Sequence, residues 1–558
     1  MNNLSKEINK LLLLIGIAVV FTSCSEVKKS ASKSLGLNLP FEMPEVIVPV
    51  FKADTFNILK YGAISNGKFL NTEVINSTIE LCSKNNGGVV LIPKGVWLTG
   101  PVVLKDNVNL HLEEGALLQF SGDRSLYPLL DNFYEGKKNP RCQNPISGKN
   151  LKNIAITGKG IIDGEGGAWR PIKKDKLTER QWNEVISSGG FVYNERLWYP
   201  SESYFKGEQL LRSGKIDYND VEALKPYKDL FRPQLINLIS CENVLLDGPT
   251  FQNSPAWNIH PLLCTHITVR NINVRNPWFS QNGDGLDLES CRFGIVENCT
   301  FDVGDDAICI KSGKDKQGRD IGVPTEFVIV RDCIVYHGHG GFVIGSEMSG
   351  GVKNMYIENC TFLGTDCGLR FKSTRGRGGV VENIYVKGVR MTNIPTDAIR
   401  FNLYYGGKIN EDENGNIIGV TKEPVTEETP CFRNISFEDI ECYNVEKAIT
   451  INGIPEMPVQ NIKIKNINIV SNEGILMRYA KDVELEGLTL DVKKPESIIV
   501  QNSDDIKFVK SEVADLENHN VVVKGESTGK VYFNLNNNPD IKKYIKIIGT
   551  PVNNVITE

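Results

Sequence analysis

Four short motifs, in chain order, carry reactive groups: Asn282-Gly283-Asp284, Gly304-Asp305-Asp306, Gly338-His339-Gly340 and Arg370-Phe371-Lys372. Carboxylates, an imidazole and two cations are the groups that general acid–base chemistry uses. Carboxylates held within a few ångströms of each other cannot all ionise cheaply. One retains a proton and can act as an acid while another stays charged and can act as a base. Such a cluster titrates as a unit. An isolated Asp-Asp pair is ordinarily a turn, so the weight rests on the four motifs arriving in order. Asp287 reads as supporting structure. The cysteines lack paired close spacing with histidine, so neither a zinc site nor any other metal or cofactor is implied.

Acting together, these groups need a scaffold that repeats. Short alternations of the type Ile-x-Val-x-Asn-x-x-Val recur, with Leu246, Val269, Val296, Val330, Ile357 and Val386 at equivalent places, separated by 23, 27, 34, 27 and 29 residues. Phe437, Ile464, Leu485 and Phe508 continue the series after a gap of 51, which leaves room for a long insertion around residues 406–430. Periods of this size with two-residue alternation indicate a solenoid of stacked parallel strands. The intervening segments are rich in Gly, Asn and Asp and lack helical periodicity. Adjacent coils would sit roughly 4.8 Å apart, so equivalent residues form ladders and the four motifs span a groove of roughly 15 Å, the length of a bound oligosaccharide. Asn271, Asn298, Asp332, Asn359 and Asn466 form one such ladder at a turn. Cys299, Cys333 and Cys360 form another, as small apolar core residues, so few disulfides are expected although the chain looks exported.

The predicted fold is all-β: a right-handed, single-stranded parallel β-helix. A helix near Thr72–Lys84 should cap its core. A partly helical insertion at about 164–235 carries Trp169, Trp182, Tyr193, Trp198, Tyr199 and Tyr204. It is either a packed subdomain or a source of substrate contacts. At 558 residues the chain exceeds a usual single domain, but a solenoid escapes that limit. A net charge of −5 gives no support to nucleic-acid binding.

The four motifs in this order resemble glycoside hydrolase family 28, the polygalacturonase family, whose pattern is Asn-Thr-Asp, Gly-Asp-Asp, Gly-His-Gly and Arg-Ile-Lys. Gly283 replaces Thr and Phe371 replaces Ile; the resemblance runs from about Phe56 to Phe508. It implies inverting hydrolysis of α-1,4-galacturonosidic linkages in pectin, with the acid and base roughly 6.5–9.5 Å apart. By motif position Asp305 would be the acid, Asp284 and Asp306 would hold and deprotonate the water, and His339 would tune the cluster. Arg370 and Lys372, with Asn282 nearby, would bind substrate, the cation pair favouring a uronate over a neutral sugar. Arg375 and Arg377 either extend the anion site or form a solvated loop. Tyr404 or Tyr405 could stack on a sugar or pack in the core, and His260 is a candidate cleft residue. A rhamnogalacturonan or xylogalacturonan substrate, a pectate lyase reaction or a non-catalytic binding role are the alternatives. The two insertions could wall off the groove, which favours attack at chain ends.

Lys6 and Lys10, the apolar run from Leu11 to Phe21, and Thr22-Ser23-Cys24 have the layout of a signal peptide (1–23) ending at a lipid-accepting Cys24. Residues 24–50 would then be a tether and 51–558 a monomeric catalytic domain, lipid-anchored to a bacterial outer membrane on its periplasmic or outer side. Plain secretion is the alternative.

Overall fold

The computed structural model describes residues 36–407, 409–412, 417–536 and 541–557. Cys24 lies outside them. The chain divides into two units, Met1–Glu45 and Val46–Glu558. In the first, residues 36–45 hold neither helix nor strand.

In the second unit, 36 strands join one sheet system whose pairings are parallel. The coils that carry the motifs contribute three strands each, for example Arg292–Glu297, Thr300–Asp302 and Ile308–Lys311, while towards the C-terminus these merge into longer strands such as Cys431–Asn452. The repeat expected from sequence is the register found. Leu246 pairs Val269, then Val296, Val330, Ile357 and Val386 follow, and Phe437, Ile464, Leu485 and Phe508 come next. Phe56, Val90, Leu110 and Ile156 extend the ladder upstream, and Phe533 extends it downstream. This is a parallel β-helix with an apolar interior. Alternate side chains of each strand point inward, and each buried Ile, Leu or Phe contributes about 1.5–3 kcal/mol.

The turn ladder has a clear cause. Asn271, Asn298, Asp332, Asn359 and Asn466 all have φ between 50° and 56°, the left-handed region that Asn and Asp tolerate best after glycine. Their side chains also link coils: Asn271 Nδ2 donates to Asp247 Oδ1 at 2.8 Å and Asn359 Nδ2 to Asp332 Oδ1 at 2.6 Å. Cys299, Cys333 and Cys360 are fully buried, and all twelve cysteines among the described residues are free.

Helix α1 (Thr72–Lys84) buries Ile75, Thr78, Ile79 and Cys82 against the core at its N-terminal end. The insertion contains α2 (Glu179–Ser187), begun by a capping box between Thr178 and Gln181, and α3 (Glu202–Arg212), capped by Ser201. Its aromatic residues mostly serve packing: Trp169, Trp182, Trp198, Tyr199 and Tyr204 are buried. A second excursion, residues 121–145, was not read from sequence. It holds two short antiparallel pairs, Leu129–Leu130 with Arg141–Cys142 and Phe133–Tyr134 with Lys137–Lys138.

Six strands form the face beneath the reactive motifs: β1 (Ile236–Ile239), β2 (Ile259–Leu262), β3 (Leu286–Glu289), β4 (Ile308–Lys311), β5 (Phe342–Ile344) and β6 (Leu369–Lys372), each paired to the next.

Candidate active site

The motifs converge because each precedes or lies on a successive strand of this face. Asn282 and Asp284 lead into β3, Asp305 and Asp306 into β4, and His339 into β5, while Arg370 and Lys372 lie on β6. One oxygen from each of Asp284, Asp305 and Asp306 lies within 4.8 Å of the others. These oxygens are closer than the 6.5–9.5 Å expected from sequence, because Asp305 and Asp306 are consecutive residues and Asp284 stands one coil away.

The three carboxylates occupy different environments. Asp306 is buried; burial would raise its pKa, but Lys372 Nζ at 2.6 Å and Arg370 Nη1 at 3.5 Å outweigh that and hold it at about 2. Asp284 is pushed well above the usual carboxylate range by burial, then by Asp287 and Asp305. Asp305 is the one of the three that faces the cleft, with 21% of its side chain exposed. His339 Nδ1 lies 3.1 Å from Asp305 Oδ1, and that hydrogen bond raises the imidazole pKa. Burial first and crowding second therefore raise Asp284, the residue assigned to the water, whereas the expectation placed the raised group at the acid. A more basic Asp284 is the better proton acceptor, provided it is ionised.

A buried lysine completes the cluster. Lys311, at the end of β4, sits 3.2 Å from Glu347, 3.4 Å from Asp287 and 4.0 Å from Asp284, with its ammonium 4.3 Å from the centre of the Trp257 ring. Burial raises Asp287 to about 8. Sequence reasoning missed Lys311 and Glu347. The one available signal was a charge ending the apolar run Ile308-Cys309-Ile310. The three carboxylates offer ligand oxygens to a common point, but Lys311, Arg370 and Lys372 already supply the compensating charge, so the donor set does not favour a divalent ion.

Other expected contacts fall differently. Lys372 is engaged by Asp306 and 7% exposed, so it holds that carboxylate and leaves the open anion contact to Arg370. Arg375 makes a two-pronged pair with Glu456 at 2.6 and 2.9 Å, and Arg377 pairs with Asp315, so neither extends the anion site. His260 does not line the cleft: it is fully buried, with Nε2 2.8 Å from Glu289. Tyr405 flanks the cations, its ring centre 5.9 Å from Arg370 and 5.1 Å from Lys372, whereas Tyr404 packs on the core. Asn282 Oδ1 accepts from Arg232 Nη2 at 3.0 Å. The cleft beside Asp305 and His339 is also lined by Lys173, Lys176 and Trp278, and Trp278 is 58% exposed.

The sequence profile of "Glycosyl hydrolases family 28" matches residues 205–429. A solved hyperthermoactive exopolygalacturonase from Thermotoga maritima is 31% identical, covers 78% of this chain and 91% of its own, and superposes with a TM-score of 0.63. This chain belongs to glycosyl hydrolases family 28. A "Probable polygalacturonase" of Vitis vinifera is 28% identical over 75% of this chain and 74% of that one. An "Exo-poly-alpha-D-galacturonosidase" of Dickeya chrysanthemi is 29% identical over 65% of this chain and 58% of that one. The two departures from the family pattern now have causes. Phe371 points inward and stacks on Phe401, centroids 4.5 Å apart, away from the reacting groups. At Gly283 a Cβ would meet Ser280 Oγ at 2.0 Å and its carbonyl oxygen at 2.9 Å, so a larger residue requires this turn to shift. The family 28 chain is a glycoside hydrolase of the polygalacturonase type.

Proposed function

We propose that the enzyme hydrolyses α-1,4-galacturonosidic linkages of polygalacturonate with inversion, releasing sugar from a chain end. The carrying observation is the division of labour among three adjacent carboxylates: Asp306 held ionised by Lys372, Asp284 made more basic by burial, and Asp305 exposed to the cleft with His339 on it. Asp305 protonates the departing glycosidic oxygen. Asp284 and Asp306 hold a water between them, and Asp284 takes its proton. Arg370, whose side chain is 21% exposed, receives the carboxylate of a bound uronate. The exo-acting relatives from Thermotoga maritima and Dickeya chrysanthemi support attack at a chain end. So does the position of the excursion 121–145 and the insertion, which together wall a pocket beside Asn282.

Incubation with polygalacturonic acid and sizing of early products tests this reading. Small products alone are expected; a ladder of oligomers rejects the chain-end mode. Asp305→Asn should lower kcat by about 10²–10⁴-fold, and unchanged activity would reject the acid. Proton NMR of the first product should show the β-anomer, and an α-anomer would reject inversion.

We also propose that Cys24 carries the lipid that anchors the protein to a bacterial outer membrane, and that the enzyme acts there as a monomer. Supporting this are the basic start, the apolar run and the small residues before Cys24. Cys24→Ala should release the protein from the membrane fraction, and retention of the variant there would reject it.

A further inference from the structure

Arg141 is a cation that the fold buries without an acid to pair it. It comes from the excursion 121–145, is 8% exposed, and makes no ion pair or side-chain hydrogen bond among the described residues; its Nε is a buried donor without a partner. Its guanidinium carbon sits over the Tyr134 ring, 3.6 Å from the centre, and Tyr134 packs on Trp257 at 4.3 Å, the ring that also carries Lys311. Burial pulls the Arg141 pKa down, but a guanidinium remains protonated in any protein. A buried charge of this kind is costly until an anion reaches it.

The side chain lines a pocket between the excursion, the insertion and the loop before β3; Glu135 and Glu208 line it too, but each is paired elsewhere, with Lys314 and Arg212. A second buried polar atom there is also unsatisfied: Asn139 Oδ1, from a residue 5% exposed. Arg232, on the opposite wall, is already committed, donating to Pro255 O, Gln281 O and Asn282 Oδ1. Gln281 and Asn282 border both this pocket and the cleft that holds Asp305 and His339, so the two are neighbours across one short loop. A free fork of donors, a free acceptor beside it and an aromatic wall match a uronic acid ring: carboxylate, hydroxyl and apolar face.

We propose that this pocket is the terminal subsite of the groove, where Arg141 binds the carboxylate of the last uronate of the chain and Asn139 accepts from one of its hydroxyls. The inference rests on the chain-end reading above and makes Arg141 a specificity-determining residue. It predicts that charge on the terminal sugar, and not only on the sugars at the scissile bond, controls turnover.

The test compares trigalacturonate with trisaccharides in which the uronate at one end or the other is replaced by galactose. Wild-type enzyme should prefer the all-uronate substrate over one of the two. In Arg141→Gln that preference should vanish, with kcat/KM for trigalacturonate lower by about 10–100-fold and the disfavoured trisaccharide changed less than about twofold. Equal losses on all substrates, accompanied by a lower Tm, would mean that Arg141 is a packing pillar on Tyr134 and would overturn the proposal; so would an unchanged preference. Titration with D-galacturonate and D-galactose separates this from failure of the parent reading. If wild type cleaves no polygalacturonate, the parent reading fails, whereas galacturonate binding lost in Arg141→Gln still supports the subsite and binding retained overturns it.

Discussion

At the scale of single residues, the site is governed by where positive charge is buried. Lys311 lowers the pKa of Asp284 and Asp287, against burial, which raises both. Lys311→Met should therefore move the acid limb of the pH–activity profile to higher pH, because Asp284 must be ionised to accept a proton. It should also cost about 3–5 kcal/mol of stability, since it leaves buried carboxylates unpaired; a pH profile and thermal melts on the same preparations check both. Asp287 gives the complementary case. Its folded-state pKa of about 8 lies above that of an unfolded carboxyl, so the folded protein holds the extra proton and stability falls as pH rises between the two values. Asp287→Asn should be more stable than wild type by about 1–3 kcal/mol at pH 8, the difference shrinking towards pH 4. An equal difference at both pH values would show that the charge is not the cause.

At the scale of elements, the turns of the coil decide whether strands stack in register. Each turn of the asparagine ladder asks one residue to take a left-handed backbone and to reach the neighbouring coil. Asn359→Ala loses both and should destabilise by about 1–2 kcal/mol, while Asn359→Gly should recover the backbone part; urea melts of the two distinguish them. The same logic explains β3 to β6. Inward Leu288, Ile310, Ile344 and Phe371 are in register, so their outward neighbours are also in register, and those neighbours include Asp287 and Arg370. A slip of one residue would exchange the rows and bury the chemistry in the core.

At the scale of the whole molecule, a stack of parallel strands has two open ends, and an open strand edge invites pairing with another chain. Helix α1 covers the N-terminal end, with Ile75 and Ile79 fully buried. Ile79→Asp should lift that cover and shift the protein to larger species on gel filtration; an unchanged elution volume with wild-type Tm would show that the helix is dispensable. The excursion 121–145 and the insertion act at this scale too, because together they line the pocket beside Asn282.

Much was legible before any coordinates. The apolar repeat predicted the register of every anchor from Leu246 to Phe508, and Thr72–Lys84 was readable as a helix, because periodicity is a local property of the chain. Asp284, Asp305, Asp306, His339 and Arg370 were readable because they sit at one place in successive repeats. Charge partners were not readable, since an ion pair joins residues whose separation in sequence carries no signal. Lys372 turned to Asp306, Arg375 to Glu456, His260 into the core beside Glu289, and Lys311 into the middle of the carboxylates. Arg141 is the clearest instance. Nothing in its neighbours along the chain distinguishes it from a surface arginine, and only packing, by burying its guanidinium on Tyr134 outside any ion pair, makes it the proposed place for an anion.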